Sequence, residues 1–320
     1  MTDPVVSIVT STFNRASLLS RVWKSIRNES ISFEWVVVDD GSTDSTPATI
    51  CGFCDPRIIF LRLEQNQGIN IARNTGMRAA RGRFIIFLDS DDELAPNALE
   101  EAVHRLDVSP PEIGAILMIA QPTFTRNHRE TLEDGAILDE LDLVVHNRLQ
   151  GDRAVIYKAE VFRNQMLPEE YRGSEYVFVF GISRWWKYLV VNKPLTLVHR
   201  QGDNLSDPMS IVRKSSGIAK GWEKIIQNHA QILSQNASAR IRIYRIVLYR
   251  HAVAGDWAAV QRVFKELRRG DSRLSIAIKA TMIVSAGVVG CLGGDYLRLR
   301  FIRMREKGFL HRVSRAPELG

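Results

Sequence analysis

Phe84-Ile85-Ile86-Phe87-Leu88-Asp89-Ser90-Asp91-Asp92 is the stretch that decides how this chain reads. Five apolar residues without alternation predict a buried strand. Four polar residues follow at once, three of them carboxylates. Carboxylates packed at a strand end repel one another unless positive charge sits between them. A hard divalent cation with oxygen ligands, Mg²⁺ or Mn²⁺, meets that need through one or two carboxylates plus substrate phosphates. Read alone, the stretch is equally an acidic turn leading into a helix, with Asp92 or Glu93 ahead of Pro96.

The neighbouring sequence repeats the pattern. Trp35-Val36-Val37-Val38 runs into Asp39-Asp40-Gly41-Ser42-Thr43-Asp44, and Val5-Val6-Ser7-Ile8-Val9-Thr10 runs into Ser11-Thr12-Phe13-Asn14-Arg15. Each polar turn precedes a helical pattern, so the order is the βαβ alternation of a parallel, doubly wound sheet. Non-alternating apolar strands are what a sheet covered by helices on both faces requires. Such sheets bind ligands at the carboxyl edge. Between the strands, Leu18, Leu19, Val22, Trp23 and Ile26 share one helix face, with Asn14 as the expected N-cap. Ser45 or Thr46 is placed to cap a second helix with Pro47 in its first turn. Ile58 to Leu63 predicts a strand and Ile69 to Arg81 a helix closed by Gly82.

Four blocks in register resemble family 2 glycosyltransferases: Ser7 to Arg15, Val38 to Asp44, Asn66-Gln67-Gly68 with Ala72-Arg73-Asn74-Thr75-Gly76, and Phe87 to Asp92. The resemblance covers about the first hundred residues. It implies a GT-A fold, a Rossmann-like mostly parallel sheet, with a nucleotide-sugar donor, inverting transfer and a divalent metal. It further implies nucleotide contacts from Thr10, Thr12, Asn14 and Arg15 at the first strand's end. Asp39 or Asp40 would accept from a uracil N–H, as one carboxylate of this turn does in relatives. Arg73 would meet the base or diphosphate, and Asp89 with Ser90 the ribose side. Asp91 would bind the metal, with Asp89 and Asp92 completing the carboxylate set, and a metal there bridges the two phosphates. Relatives carry a Gly-x-Glu-Asp-like helix start that includes the catalytic base. Gly173-Ser174-Glu175-Tyr176 is the matching stretch, so Glu175 takes the base role although Tyr176 stands where relatives more often have Asp. Glu169 and Glu170 are the nearest substitutes. Lys193 to Arg200 resembles the closing strand, and its His199 is a candidate for diphosphate or metal contact.

Composition bounds the remainder. The chain has 320 residues, 45% of them hydrophobic and 25% charged, which is globular usage. Met1-Thr2-Asp3-Pro4 offers no basic or apolar leader pattern, and three cysteines suit a reducing compartment, so a cytoplasmic location is expected. Cys51-Gly52-Phe53-Cys54 has redox spacing but no second pair for zinc, and reads as structural. From Ile211 onward 21 Lys/Arg face 7 Asp/Glu, a balance of +14, while residues 1–210 balance at −7. This divides the chain into a catalytic part at 1–210, with a nucleotide-sugar half at 1–110 and an acceptor half at 111–210, and a basic, mainly helical part at 211–320. The asymmetry points to an anionic partner. No zinc, RNP-like or helix-turn-helix pattern supports nucleic acid. An anionic membrane surface fits better, because the apolar, glycine-bearing run Ala280 to Gly294 precedes Arg298, Arg300, Arg303, Arg305 and Lys307. The same run also suits a buried helix or a homo-oligomer contact.

The middle of the chain is read more coarsely. Ala98 to Leu106 is a helix, Ile113 to Ala120 a strand, Thr123 to Asp142 a polar loop, Ala154 to Tyr157 a strand, and Ala159 to Gln165 a short helix. Trp185, Trp186 and Tyr188 are read on a helix, where adjacent positions cannot share one site, so core packing is expected of at least one. Apolar spacing from Trp222 to Leu267 predicts packed helices, including a hairpin split at Gly255-Asp256. The expected activity is transfer of a sugar from a UDP-sugar to an acceptor hydroxyl on a glycan or lipid-linked acceptor, in bacterial polysaccharide or lipopolysaccharide assembly, at the cytoplasmic membrane face. A non-catalytic nucleotide-sugar-binding relative is one alternative. A sugar nucleotidyltransferase is another, disfavoured because Ser11-Thr12-Phe13-Asn14 is not a Gly-rich, basic phosphate loop. The absence of Gly-x-Gly-x-x-Gly argues against a Rossmann oxidoreductase.

Overall fold

The computed structural model describes residues 3–121, 132–149, 153–163, 165–170, 175–199 and 208–270. Gly173 and Ser174, the segment Gln201 to Ser206, and the run Ala280 to Gly294 with its following arginines lie outside the described residues. The chain divides into two compact units, Met1–Arg200 and Gln201–Gly320.

The first unit is built on a mixed nine-stranded sheet among the described residues. Its strands are β1 (Val6–Thr12), β2 (Phe33–Asp39), β3 (Ile58–Arg62), β4 (Phe84–Phe87), β5 (Glu93–Leu94), β6 (Ile113–Gln121), β7 (Ile137–Leu138), β8 (Arg153–Lys158) and β9 (Lys187–Leu197). The order is β3-β2-β1-β4-β8-β6-β9-β5, with β7 added on β9. β1 runs parallel to β2 and β4, and β2 to β3, which is the alternation that the first hundred residues predict. β8 lies antiparallel between β4 and β6. The apolar run Ala154 to Tyr157 had given its existence but not its direction.

Helices cover both faces. α1 (Ala16–Ile26), α2 (Thr46–Gly52) and α4 (Ala98–Asp107) pack on one side, where Leu19, Val22, Ile26, Ile50, Leu99 and Leu106 join Ile8, Trp35, Val37 and Ile86 in one core. α3 (Ile69–Ala79) packs on the other side against β1 and β2. A Cβ on Gly76 would stand 2.5 Å from the Val9 side chain, so only glycine lets α3 sit this close. α5 is described over Glu175–Ile182.

Four local expectations change. Asn14 does not cap α1: it adopts a left-handed conformation, φ 53°, and its Oδ1 accepts from the Thr43 amide. Arg15 takes the cap position. The expected polar loop to Asp142 carries β7 and a π-helical turn at Leu141–Val145. The short helix after β8 is a 3₁₀ turn, Ala159–Arg163. Trp185 and Trp186 follow α5 rather than lying on a helix. Trp185 is exposed and Trp186 lies against Gly114, while Tyr188 is core in β9 and donates to the Val179 carbonyl at 2.7 Å. The helix reading failed there because strand β9 starts six residues earlier than Lys193.

The second unit is helical: α6 (Pro208–Asn228), α7 (Ala230–Gln235), α8 (Ala237–Ala254) and α9 (Trp257–Gly270). Gly255, φ 77°, ends α8, and Asp256 Oδ1 accepts from the Ala259 amide, so the hairpin turns at the expected Gly255-Asp256. Val247, Leu248, Val260, Val263 and Leu267 form its core with Trp222 and Phe264. The buried His251 holds Glu223 at 2.5 Å, and Arg262 donates to both Glu223 oxygens at 2.9 and 3.1 Å. Among the described residues no helix is long and apolar enough to cross a membrane.

Candidate active site

The ends of β1, β2 and β4 lie side by side at the carboxyl edge of the sheet, because all three run parallel. Thr12 pairs in register with Asp39. Thr10 is committed to the core, since its hydroxyl accepts from Trp35 Nε1 at 2.9 Å. Thr12 Oγ1 is buried with no hydrogen-bond partner among the described residues. Asp39 Oδ1 accepts from the Ser42 amide at 2.9 Å, and among the described residues its buried Oδ2 has no hydrogen bond, the Arg62 guanidinium standing 3.4 Å away. Asp40 turns the other way: its two oxygens accept from the amides of Gln67 and Gly68 at 2.7 and 2.8 Å. That bond is what Asn66-Gln67-Gly68 provides, a backbone cradle tying the Asp40 loop to the start of α3. Gly41 makes the turn possible, with φ 78° and Gln65 backbone only 2.7 Å from where a Cβ would be. Asn14 and Arg15 stand in the adjoining loop, where Ser42 Oγ accepts from the Asn14 amide and Thr46 Oγ1 from the Arg15 amide.

Beyond β4 the carboxylates of Asp89, Asp91 and Asp92 converge, one oxygen of each lying within 4.8 Å of the others. Ser90 sits inside this turn and is partly buried. Burial first, then the Asp89 charge, pushes Asp91 above the usual carboxylate range, with Arg15 and Arg21 pulling the other way. The same two causes push Asp92 up to about 7, opposed by the His199 amide that donates to it at 3.2 Å. A cluster of hard oxygen donors in which burial and then neighbouring negative charge drive Asp91 and Asp92 toward protonation fits a divalent cation.

Three further side chains frame the cluster. Arg73, 12% exposed, donates to Asp89 Oδ1 at 2.6 Å and stands 4.0 Å from Glu175 Oε1. Burial works against its charge, but the Asp89 and Glu175 carboxylates outweigh it and raise its pKa. Its guanidinium also lies over the Phe87 ring, 5.3 Å from the centroid. His199 faces Glu93, its Nε2 2.7 Å from the Glu93 carboxylate. Arg21, which sequence reasoning passed over, donates to the Asp91 carbonyl and pairs with Glu93 at 3.8 Å. In the sequence it is one of two basic residues, with Lys24, on the polar side of the amphipathic α1, and nothing local distinguishes it. The structure thus brings Asp89, Asp91, Asp92, Arg73 and Glu175 together. His199 meets this group through its backbone amide on Asp92, while its ring faces Glu93.

Residues 7–164 match the sequence model described as glycosyl transferase family 2. Residues 7–164, just under half of the chain, carry a domain of this family. Its fold is the GT-A fold. Among solved structures, the mannosyltransferase PcManGT from Pyrobaculum calidifontis, in complex with GDP-Man and Mn²⁺, superposes with a TM-score of 0.59 at 18% identity, over 98% of this chain and 88% of that one. Among curated relatives, the chain is 30% identical over 178 residues to the GalNAc(5)-diNAcBac-PP-undecaprenol beta-1,3-glucosyltransferase of Campylobacter jejuni, 54% of this chain and 57% of that protein. It is 40% identical over 107 residues to the UDP-Glc:alpha-D-GlcNAc-diphosphoundecaprenol beta-1,3-glucosyltransferase WfgD of Escherichia coli, 33% of this chain and 42% of that protein. The matches thus span about two fifths to three fifths of these relatives.

Proposed function

We propose that this chain is an inverting glycosyltransferase that moves a sugar from a UDP-sugar to a hydroxyl of a lipid-diphosphate-linked glycan. The observation that carries the reading is the convergence of Asp89, Asp91 and Asp92 at the carboxyl edge beside the buried Thr12 hydroxyl and Asp39. A nucleoside diphosphate supplies what these groups lack. Its base and ribose donors would satisfy the Thr12 and Asp39 oxygens. Asp89, Asp91 and Asp92 would hold Mg²⁺ or Mn²⁺, which when bound neutralises the charge developing on the departing diphosphate. The donor and acceptor classes are argued from relatives whose names carry UDP-Glc and diphosphoundecaprenol acceptors.

The residues of this chain then divide the work. Arg73 holds Asp89 and lies against Glu175, so one cation orients a donor-side carboxylate and the candidate base. Glu175, at the start of α5, accepts the proton of the acceptor hydroxyl as that oxygen attacks the anomeric carbon from the face opposite the diphosphate. Arg21, Glu93 and His199 brace the acidic turn from behind. In this reading residues 1–110 hold the donor, residues 111–210 the acceptor, and the basic residues from 211 onward bring the protein to an anionic membrane surface at which its acceptor resides.

The test is a donor screen with Mn²⁺ or Mg²⁺, using a synthetic lipid-diphosphate sugar as acceptor. UDP release that depends on metal and rises with acceptor is the expected result. No release from any UDP-sugar in either metal would overturn the reading.

A further inference from the structure

Helix α3 carries Asn70, Asn74 and Arg78 at spacings of four residues, which places them on one face, with Arg73 one position before Asn74. The opposite face, with Gly76, packs on the sheet. Asn is a poor residue for a helix interior, and Asn74 is fully buried, so its presence needs a partner that repays it in hydrogen bonds. That partner is the segment before α5. Asn74 Nδ2 donates to the Leu167 carbonyl at 2.9 Å and to Glu169 Oε1 at 2.8 Å, while its Oδ1 accepts from the Leu167 amide at 3.0 Å. One side chain therefore reads both backbone groups of Leu167, as a neighbouring strand would. Asn70 Nδ2 adds a bond to the Pro168 carbonyl at 2.7 Å, and Arg78 an ion pair with Glu169 at 3.5 Å. Beside Asn74, Arg73 reaches Asp89 and Glu175.

We infer that Asn74 is a positioning residue: it fixes the register of Leu167–Glu169 on α3 and so sets Glu175 relative to the Asp89-Asp91-Asp92 turn. The inference rests on Glu175 being the base. An amide side chain can do this because it offers an acceptor oxygen and two N–H donors together; a carboxylate lacks the donors and an apolar residue lacks both. Register matters because a displacement of about 1 Å in a reacting group can cost about 10²-fold in rate.

The experiment uses the full chain with Asn74→Ala and the isosteric Asn74→Asp, the second carrying the test where the first does not fold. Hydrogen exchange reads the clamp without reference to activity. The Leu167 amide is expected to be protected in the wild type and to exchange fastest in Asn74→Ala; Asn74→Asp keeps the acceptor for that amide but loses the donor and sets a carboxylate against Glu169, so its exchange should be intermediate, while the β1 and β4 amides stay protected. Turnover should fall by about 10²-fold with the UDP dissociation constant unchanged. Combining Asn74→Asp with Glu169→Gln, which exchanges amide and carboxylate across the 2.8 Å contact, should recover part of the loss. A freely exchanging Leu167 amide in the wild type overturns the inference. So does normal turnover in a variant whose Leu167 has lost protection, or a parallel fall of turnover, UDP affinity and melting temperature with no rescue. A Glu175→Gln variant as active as wild type defeats the assignment of the base instead, and leaves the exchange result to decide the clamp.

Discussion

Arg73 Nη2 lies 2.6 Å from Asp89 Oδ1, and the same guanidinium is 4.0 Å from Glu175 Oε1. One cation on α3 thus joins the strand-end acidic turn to the start of α5. The planar fork of Arg suits two carboxylates at once, which a Lys point charge does not. Donor-side and acceptor-side groups are therefore coupled through a residue that is itself almost buried.

Asp91→Ala should abolish metal-dependent UDP binding and transfer. Isothermal titration of UDP with and without Mn²⁺ measures the first. Full transfer by the variant, or by the wild type in EDTA, would remove the carboxylate cluster from the mechanism.

Asp92 gives a pH dependence of defined sign. Its folded pKa is raised from 3.8 to about 7, so its charged form is disfavoured in the fold. Without metal, this group costs stability as pH rises above its ordinary value, and the full cost is present above about 7. Asp92→Asn should then raise the melting temperature of the metal-free protein near pH 8 by about 2–4 °C, on the order of 1 kcal/mol after allowing for solvent screening. Conversely, stabilisation of the wild type by Mn²⁺ should grow as pH rises through 7, because the ligand must release its proton. A melting temperature unchanged by Asp92→Asn counts against the shift.

Glu175→Gln should lower turnover by ~10²–10⁴ while UDP affinity stays near wild type. Near-normal turnover transfers the base role to Glu169 or Glu170. Of these, Glu169 is already held by Asn74 and Arg78.

In the helical unit, Glu223 is partly buried; desolvation works against its charge, but the hydrogen bonds from His251 and Arg262 outweigh it and hold its pKa below the ordinary carboxylate value. A depressed carboxylate contributes stability above its ordinary pKa and loses it as pH falls through the folded value. Acid unfolding followed by far-UV circular dichroism should begin below about pH 4.5 and be shallower in Glu223→Gln. Identical acid profiles would show that the pair contributes nothing.

A chain ending before Ser275 should keep UDP binding and lose sedimentation with anionic vesicles. Each basic side chain near such a surface contributes about 1 kcal/mol, and added salt weakens it. Equal pelleting of both chains would reject the membrane role of the tail and favour the buried-helix or oligomer reading.

The sequence by itself determined the parallel half of the sheet and the location of the acidic turn. Val36-Val37-Val38 and Ile85-Ile86 can only be buried on both faces, and polar residues directly after such runs must emerge at the sheet edge. It also determined the helical hairpin at Gly255, since a glycine stop between two apolar periodicities is a local signal. Partners between distant segments were a different matter. Nothing local says that Asp40 turns toward Gln67 and Gly68 while Asp39 stays at the β1–β2 edge, or that Asn14 leaves its helix for Thr43. Nor does it say that β8 runs backwards between β4 and β6, or that Asn74 grips Leu167. Hydrophobic periodicity is a property of neighbours in sequence, whereas a buried polar group takes whichever partner the packed chain brings within about 3 Å. Tertiary structure alone therefore decided which carboxylates face one another and which side chain holds the candidate base in place.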